Sequence, residues 1–253
     1  MRKTKKSFGQ HFLRDVHVLE RIRSEVNEQL RIIEVGPGEG ALTRLLPDDI
    51  TLIEADRDLI DHLKEAFPRA NILYADAASV NYDEIIGNDA WMMVSNLPYN
   101  AAAAILNKAM GASNPPKELV IMVQKEQADR MREQPGDMGL LSVVVQYGYT
   151  IKKVCDVSRE AFTPKPNVES TVLHFLQQED VVWDDREGVI QLAKAGFRSR
   201  RKQLHKNLQE EGVANSAQVK RLLVQIGLPE TARAQELSIA QWSDLHDQLK
   251  KEA

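Results

Sequence analysis

Short apolar runs recur along the first two thirds of the chain, and each ends at a polar or glycine-containing segment. Runs of about four to eight apolar residues bounded by breakers are typical of strands buried on both faces of a sheet. The predicted strands are RIIEV (31–35), TLIEA (51–55), ANILYAD (70–76), AWMMVS (90–95), LVIMVQ (119–124), TIKKVCDV (150–157) and ESTVLHFL (169–176).

Segments with helical spacing separate these runs. Helices are predicted over 15–29, from about Ala41, and over 57–66, 101–110 and 125–133. The run LLSVVVQ (140–146) fits either a helix or a strand. Because strands alternate with helices, the fold class is α/β with a doubly wound, mostly parallel sheet.

The strand pattern stops beyond residue 183. Four helices are predicted there: 183–197, 200–212, 216–227 and 238–252. We therefore expect a boundary near 177–183 that divides the chain into an α/β domain (1–180) and a small all-α domain (181–253).

Composition narrows the class of protein. The 253 residues are 43% hydrophobic, with no apolar stretch long enough to span a membrane. The basic N-terminus lacks the apolar core of a signal peptide. Cys155 is the only cysteine, which excludes an intrachain disulfide and a cysteine-based metal cluster. We expect a cytoplasmic protein without a metal.

The net charge of −4 argues mildly against a nucleic-acid partner, but the cations are unevenly distributed. Four crowd the first six residues, in RKTKK, and six lie between 194 and 206, a stretch without any acid. Each cluster suits contact with phosphates. The alternative is a solvated helix face at 194–206 and a disordered start at the N-terminus.

Three glycines follow the first predicted strand, in IIEVGPGEGALT (32–43). Ligands of open α/β sheets bind at this end of the strands, where glycine allows close approach of the backbone. The spacing G-x-G-x-G differs from the dinucleotide fingerprint G-x-G-x-x-G, which favours a nucleoside cofactor without a pyrophosphate. An ordinary tight turn is the alternative.

Two carboxylates end the next two strands. Glu54 lies where an acid accepts hydrogen bonds from ribose hydroxyls, and Asp76 can accept from an adenine amino group. The alternative for Glu54 is a solvated carboxylate at the end of a strand, and the alternative for Asp76 is a helix cap. Together with the glycines they describe a pocket for a nucleoside.

The fourth strand ends in VSNLPYN (94–100). Asn96 offers one acceptor oxygen, Pro98 holds the backbone extended before it, and Tyr99 offers a flat face. This set suits a flat heteroaromatic ring with an exocyclic amino group. A strand-to-loop turn with a core tyrosine is the alternative.

Several motifs in order give the chain a resemblance to the KsgA family of small-subunit rRNA adenine-N6,N6-dimethyltransferases. They are FGQHFL (8–13), EVGPGEGALT (34–43), IEAD (53–56), YAD (74–76), NLPYN (96–100), VQKE (123–126), FTPKPNVEST (162–171) and FRSRRKQLHKNL (197–208). The resemblance covers about 7–250 and implies a Rossmann-like class I methyltransferase that uses S-adenosylmethionine.

The resemblance also implies residue roles. Cofactor contacts fall on His11, Leu13, Gly36, Gly38, Glu54, Asp76 and Asn96, target-base contacts on Asn96, Leu97, Pro98, Tyr99 and Phe162, and RNA contacts on Arg198, Arg200, Arg201 and Lys202. On a helix, Arg198, Arg201, Lys202 and His205 would share one face. A hydrophobic plug under the loop is the alternative for Phe162.

The implied function is methylation of two adjacent adenines in the 3′-terminal hairpin of small-subunit (16S) rRNA. The expected partner is a pre-assembled small ribosomal subunit, and the enzyme is expected to be a monomer. The alternatives are a large-subunit rRNA adenine methyltransferase and a non-catalytic RNA-binding assembly factor. A DNA or small-molecule methyltransferase fits the NLPY segment and the basic run less well.

Overall fold

The computed structural model describes residues 11–179 and 181–252. Two compact units account for the contacts within the chain. Of the described residues, the first comprises 11–128 and 150–177, and the second comprises 129–149, 178–179 and 181–252. The predicted RKTKK arm lies outside the described residues.

The apolar runs form a seven-stranded sheet. The strands of the chain are β1 Phe12–Leu13, β2 Arg31–Val35, β3 Thr51–Glu54, β4 Asn71–Tyr74, β5 Trp91–Asn96, β6 Glu118–Gln124, β7 Tyr149–Val157, β8 Phe162–Thr163 and β9 Ser170–Gln177. The order within the sheet is β4-β3-β2-β5-β6-β9-β7. The five strands from β4 to β6 pair in parallel, and β9 pairs antiparallel with β6. The predicted α/β class and mostly parallel sheet are therefore confirmed.

Helices connect the parallel strands of this sheet and make up most of the second unit. They are α1 Val16–Arg23, α2 Arg57–Ala66, α3 Tyr82–Ile86, α4 Ala102–Met110, α5 Lys125–Met131, α6 Leu140–Gln146, α7 Arg186–Gly196, α8 Leu204–Glu210, α9 Ser216–Gln225 and α10 Ile239–Lys251. Among the described residues, none of these helices is long and apolar enough to cross a membrane.

Burial of the central strands explains why their sequences are continuously apolar. Met92 and Met93 on β5 and Val120 and Ile121 on β6 are all fully buried. Because successive strand side chains point to opposite faces, both faces of the sheet are covered. Each such side chain contributes about 1.5–3 kcal/mol relative to remaining exposed. These two strands hold the segment that follows β5 in place.

Two helix predictions in the first unit need correction. The helix expected from about Ala41 is only a single 3₁₀ turn over Thr43–Leu45. Pro47 disfavours helical backbone at Leu46, which is extended with ψ near 163°. The helix expected over 15–29 ends at Arg23, after which the Ser24 hydroxyl donates to the Arg21 carbonyl.

The basic run was predicted to lie on a helix, and this is wrong for 197–203. These residues form turns between α7 and α8. The buried Asn207 amide donates to the carbonyls of Gly196 (2.6 Å) and Ser199 (3.0 Å), which ties the turn to α8. The predicted sharing of one helix face by the cations is therefore absent.

The ambiguous run at 140–146 is a helix, α6, and belongs to the second unit. The Gln146 amide donates to the carbonyls of Met131 and Glu133, both at 2.9 Å. The observed division thus differs from the predicted boundary at 180 over residues 129–149.

A buried ion cluster joins three elements of the first unit. His174 on β9 is 8% exposed. Its Nδ1 lies 2.9 Å from Glu25 after α1, and its Nε2 lies 2.8 Å from Glu118 on β6. An imidazolium satisfies both carboxylates at once, because a carboxylate can only accept hydrogen bonds.

Candidate active site

A cavity of about 650 Å³ opens where β2, β3, β4 and β5 end. Parallel strands present their carboxyl ends at one edge of a sheet, and ligands of this architecture bind there. The volume falls in the range of about 300–1,000 Å³ found for small-molecule sites. The structure places at this cavity the predicted residues His11, Leu13, Gly36, Gly38, Glu54, Asp76, Asn96, Leu97, Pro98 and Tyr99.

The segment GPGEG (36–40) after β2, called the glycine loop, forms one wall of the cavity. Gly36 has a φ of +66°, a conformation that side-chain-bearing residues rarely adopt. At Gly38 a Cβ atom would lie 2.9 Å from the Phe12 ring, so only glycine allows the N-terminal segment to pack on the loop. The loop is therefore shaped by two separate requirements for glycine.

Glu54 ends β3 and is 7% exposed, so it is not a solvated carboxylate. One oxygen accepts from the backbone N–H of Gly38 (3.1 Å) and the other from that of Asp56 (2.8 Å). Burial raises the pKa of Glu54. Each oxygen keeps a lone pair for a further donor such as a hydroxyl.

Asp76 follows β4 and is exposed at the cavity. Its carboxylate accepts from the backbone N–H of Ala78 at 2.9 Å, which stabilises a turn over 77–79, whereas the next helix is capped by Asn81. The remaining lone pairs can accept from a ligand amino group.

Glu34 on β2 lines the same cavity, and the sequence analysis did not single it out. The side chain is 2% exposed, and Oε2 finds no hydrogen-bond partner among the described residues. Burial, together with the nearby Glu54 carboxylate, raises the pKa of Glu34 to about 8. The signal in the sequence that could have indicated Glu34 is a charged residue within the otherwise apolar strand end IIEV (32–35).

Replacing Glu34 by glutamine is expected to change how stability depends on pH. The folded protein keeps a proton on Glu34 between pH 4.5 and about 8, whereas the unfolded chain has lost it. Stability should therefore fall as pH rises through this window, by up to about 1.4 kcal/mol per pH unit. Urea unfolding at a series of pH values should show this slope reduced in Glu34→Gln. Parallel profiles for the two proteins would contradict it.

Residues 11–14 cross the cavity as a strap that is held at both sides. Phe12 and Leu13 pair with β8, and the His11 ring bonds to the Pro164 carbonyl at 2.8 Å. Beyond the cavity, Arg14 forms an ion pair with Glu39 of the glycine loop. Leu13 is buried within the apolar core of the first unit.

Asn96 is the last residue of β5 and lies half-buried at the cavity. Its Nδ2 donates to the His11 carbonyl at 3.2 Å, which leaves Oδ1 as an acceptor. The Pro98 carbonyl already accepts from the N–H groups of Ala101 and Ala102. The Leu97 carbonyl accepts none of the hydrogen bonds described for residues 11–179 and 181–252, so it is the acceptor available beside Asn96.

Tyr99 completes this side of the cavity. Its ring stacks with that of His11, with centroids 5.8 Å apart and planes 26° from parallel. The hydroxyl lies 2.7 Å from the hydroxyl of Ser170. Burial raises the pKa of Tyr99, so the phenol is neutral at physiological pH.

Phe162 is not brought into the cavity. It pairs with Leu13 in the β1–β8 ladder, is 3% exposed and belongs to the apolar core. This position favours the predicted alternative, a hydrophobic plug. Phe162 supports the strap from below and does not face a ligand bound in the cavity.

The predicted RNA-contacting cations lie together in the second unit. Arg198, Arg200, Arg201 and Lys202 are all exposed in the turn between α7 and α8. Arg198 pairs with Glu211 at 3.5 Å and Lys202 with Glu210 at 2.7 Å. Exposed ion pairs are weak, at about 0–1 kcal/mol, so a polyanion can displace them.

His205 does not belong to this exposed set. It is 5% exposed and bonds to Gln203 and Ser216 through its two ring nitrogens, both within 2.8 Å. Burial lowers its pKa and favours the neutral form. Its predicted place on a basic face is therefore wrong.

Curated relatives cover almost the whole chain. The ribosomal RNA small subunit methyltransferase A of Staphylococcus epidermidis is 35% identical over 98% of this chain and 90% of its own length. The protein of the same name from Bacillus licheniformis is 34% identical over 98% of this chain and 91% of its own.

Two solved structures share the fold at low identity. A dimethyladenosine transferase from Plasmodium falciparum aligns with a TM-score of 0.79 at 22% identity, over 96% of this chain and 98% of that one. The 23S rRNA methyltransferase ErmE aligns with a TM-score of 0.71 at 23% identity, over 94% and 99%.

A profile of the family described as Ribosomal RNA adenine dimethylase matches residues 1–251. The match spans the strap, the glycine loop, the NLPY segment and the turn between α7 and α8 that carries Arg198, Arg200, Arg201 and Lys202. It confirms the resemblance that these motifs carried in the sequence. The chain therefore belongs to the ribosomal RNA adenine dimethylase family.

Proposed function

We propose that the chain transfers methyl groups to N6 of two adjacent adenines in the 3′-terminal hairpin of small-subunit (16S) rRNA, giving N6,N6-dimethyladenosine. The observation that carries the proposal is the edge formed by Asn96, Leu97 and Tyr99. It places two acceptor oxygens and an aromatic ring at one end of a cavity of nucleoside-cofactor size.

The cofactor is S-adenosylmethionine, which supplies an electrophilic methyl group on a sulfonium centre. The residues present fit it. Glu54 and Asp76 offer carboxylate oxygens for ribose hydroxyls and an adenine amine. The buried Glu34 oxygen without a partner can form a hydrogen bond to a polar group of the cofactor, and Leu13 of the strap offers an apolar cover.

The chain must solve one chemical problem, because adenine N6 is a poor nucleophile whose lone pair is conjugated into the ring. The Asn96 Oδ1 and the Leu97 carbonyl can accept the two N6 hydrogens. Accepting both orients the nitrogen and favours a lone pair that points out of the conjugated system. Catalysis of this kind depends on positioning and on preorganised dipoles.

Tyr99 supplies the surface on which the target base stacks, a contact worth about 1–3 kcal/mol. The base must first leave its own stack, as in other enzymes that modify bases. The hydroxyl of Tyr99 is engaged by Ser170, so proton transfer is not its task. No strong general base is required, because N6 loses its proton readily once methylated.

RNA contacts are assigned to the basic turn, which consists of Arg198, Arg200, Arg201 and Lys202. Reversing three of these charges (R200E/R201E/K202E) should weaken binding to small subunits and reduce the salt slope by about 2–3. A control with the same change in net charge reverses the exposed Lys64, Lys108 and Lys251. Filter binding at several salt concentrations measures the affinity of both variants for small subunits. Equal losses of affinity in the two variants would show that the basic turn is only a solvated surface.

The substrate is proposed to be a pre-assembled small subunit, with the enzyme acting as a cytoplasmic monomer. Support comes from relatives at 34–35% identity over nearly the whole chain, which carry the small-subunit name. The 23S enzyme is 23% identical, so its likeness supports the shared fold only. Small-subunit rRNA is therefore preferred over large-subunit rRNA.

The deciding experiment incubates the protein with labelled S-adenosylmethionine and, in parallel, undermethylated small subunits, large subunits, naked 16S rRNA and duplex DNA. The RNA is digested and its nucleosides are separated. Dimethyladenosine from small subunits alone is the expected result. Label in large subunits would favour the alternative enzyme, and label in naked RNA would overturn the assembly requirement. Cofactor binding without any transfer would indicate an assembly factor.

A further inference from the structure

The hydroxyl of Ser170 is the closest polar contact of Tyr99, although 71 residues separate them in sequence. Ser170 is the first residue of β9 and is fully buried. It stands opposite Gln124, at the end of β6, and is fixed there by the antiparallel register of the two strands. Its oxygen therefore has a position set by the sheet rather than by a loop.

Tyr99, by contrast, lies in the segment that follows β5 and is not part of a helix or strand. The 2.7 Å contact between the two hydroxyls ties this loop residue to the sheet. A buried hydroxyl that loses its hydrogen-bond partner is destabilising, so the pair resists separation. One contact thus fixes the far end of the aromatic ring.

We infer that Ser170 is a positioning residue, which holds the Tyr99 ring at the tilt needed to stack on the target adenine. The inference rests on the proposed function, because the stacking partner is the base. It assigns Ser170 no contact with the base or the cofactor. Ser170 acts only through Tyr99, while His11 lies against the ring from the strap.

The kinetic test is a double-mutant cycle on undermethylated small subunits with Ser170→Ala, Tyr99→Phe and the double variant. Each substitution removes the same hydrogen bond. Each single variant should lower kcat/KM about tenfold, or about 1.4 kcal/mol, and the double variant should lose no more than either one. A loss in kcat/KM of about a hundredfold in the double variant, the product of the two single losses, would overturn the inference. A kcat/KM of Ser170→Ala within twofold of the unaltered protein would overturn it too.

Thr171→Val is the matched control. Thr171 is the next residue on the same strand, is 1% exposed, and donates its hydroxyl to Asp156 at 2.8 Å. Successive strand side chains point to opposite faces, so this substitution removes a buried hydroxyl without touching Tyr99. It should leave kcat/KM within twofold. A tenfold loss here too would attribute the effect to β9 in general.

A second measurement does not depend on RNA. NMR of protein labelled with ¹³C-tyrosine, assigned with Tyr99→Phe, reports on the Tyr99 ring directly. Ser170→Ala should shift its phenolic carbon and speed its ring flips, and Thr171→Val should do neither. An unchanged ring would overturn the inference whatever the substrate is. A changed ring together with an unaltered protein that methylates no RNA would overturn the proposed function and leave the anchoring intact.

Discussion

Asn96→Ala is expected to lower kcat by about 100- to 1,000-fold, the usual cost of removing one preorganised group that acts on the reacting centre. Alanine removes the acceptor for one N6 hydrogen. It also removes the hydrogen bond of 3.2 Å that the Asn96 amide donates to the His11 carbonyl. The fold should persist, because Asn96 is the final residue of β5 and its backbone pairing does not need the side chain.

The same variant should bind S-adenosylmethionine within about tenfold of the unaltered protein, since Glu54 and Asp76 remain in place. Equilibrium dialysis with labelled cofactor measures this, and single-turnover transfer to small subunits measures the chemical step. Unimpaired single-turnover rates would refute the role of Asn96. Loss of both binding and transfer would place Asn96 in cofactor binding alone.

His174→Ala is expected to lower the free energy of unfolding by about 2–4 kcal/mol. Removing one partner of a buried ion cluster leaves uncompensated charges, a loss of about 3–5 kcal/mol when burial is complete. The carboxylates of Glu25 and Glu118 are 18% and 17% exposed, which reduces the effect somewhat. Urea denaturation at pH 7 measures the change.

Acidification provides the control for this cluster. Burial raises the pKa of Glu25, but the hydrogen bonds from His174 and Lys152 outweigh it, so the net shift is downward. A depressed carboxyl pKa contributes stability above its unfolded value near 4.5, and that stability is lost as pH falls through the folded value. The stability gap between the unaltered protein and His174→Ala should therefore narrow below pH 4.5. A constant gap would show that packing, and not charge, sets the effect.

The sequence predicted the parallel sheet and the side chains at its edge because these depend on local pattern. Buried strands must be continuously apolar, so each polar residue at a strand end is conspicuous. Glu54, Asp76 and Asn96 were all found in this way, and all three line the cavity. Glu34 was missed because it lies within a strand, where the pattern predicts an apolar side chain.

Tertiary contact explains what the local pattern leaves open or predicts wrongly. The turn at 197–203 depends on the buried Asn207 amide. The undecided run at 140–146 is held by contacts that Gln146 makes as part of a helix. Neither contact can be read from helix propensity or from periodicity. The resemblance assigns Phe162 to the target base, whereas its pairing with Leu13 places it in the core.

The division of the chain into two units has a consequence for making the protein in parts. The chain passes from one unit to the other three times, at 128/129, 149/150 and 177/178. A fragment that stops at 180 would carry α6 without α7, the helix that contacts it in the second unit. It would also lose the hydrogen bond from Arg186 of α7 to the Val144 carbonyl, in a helix whose Val143 and Val145 are fully buried in the intact chain. Such a fragment is expected to aggregate, whereas a fragment that ends at 177 and has a linker in place of 132–148 would lack α6 altogether.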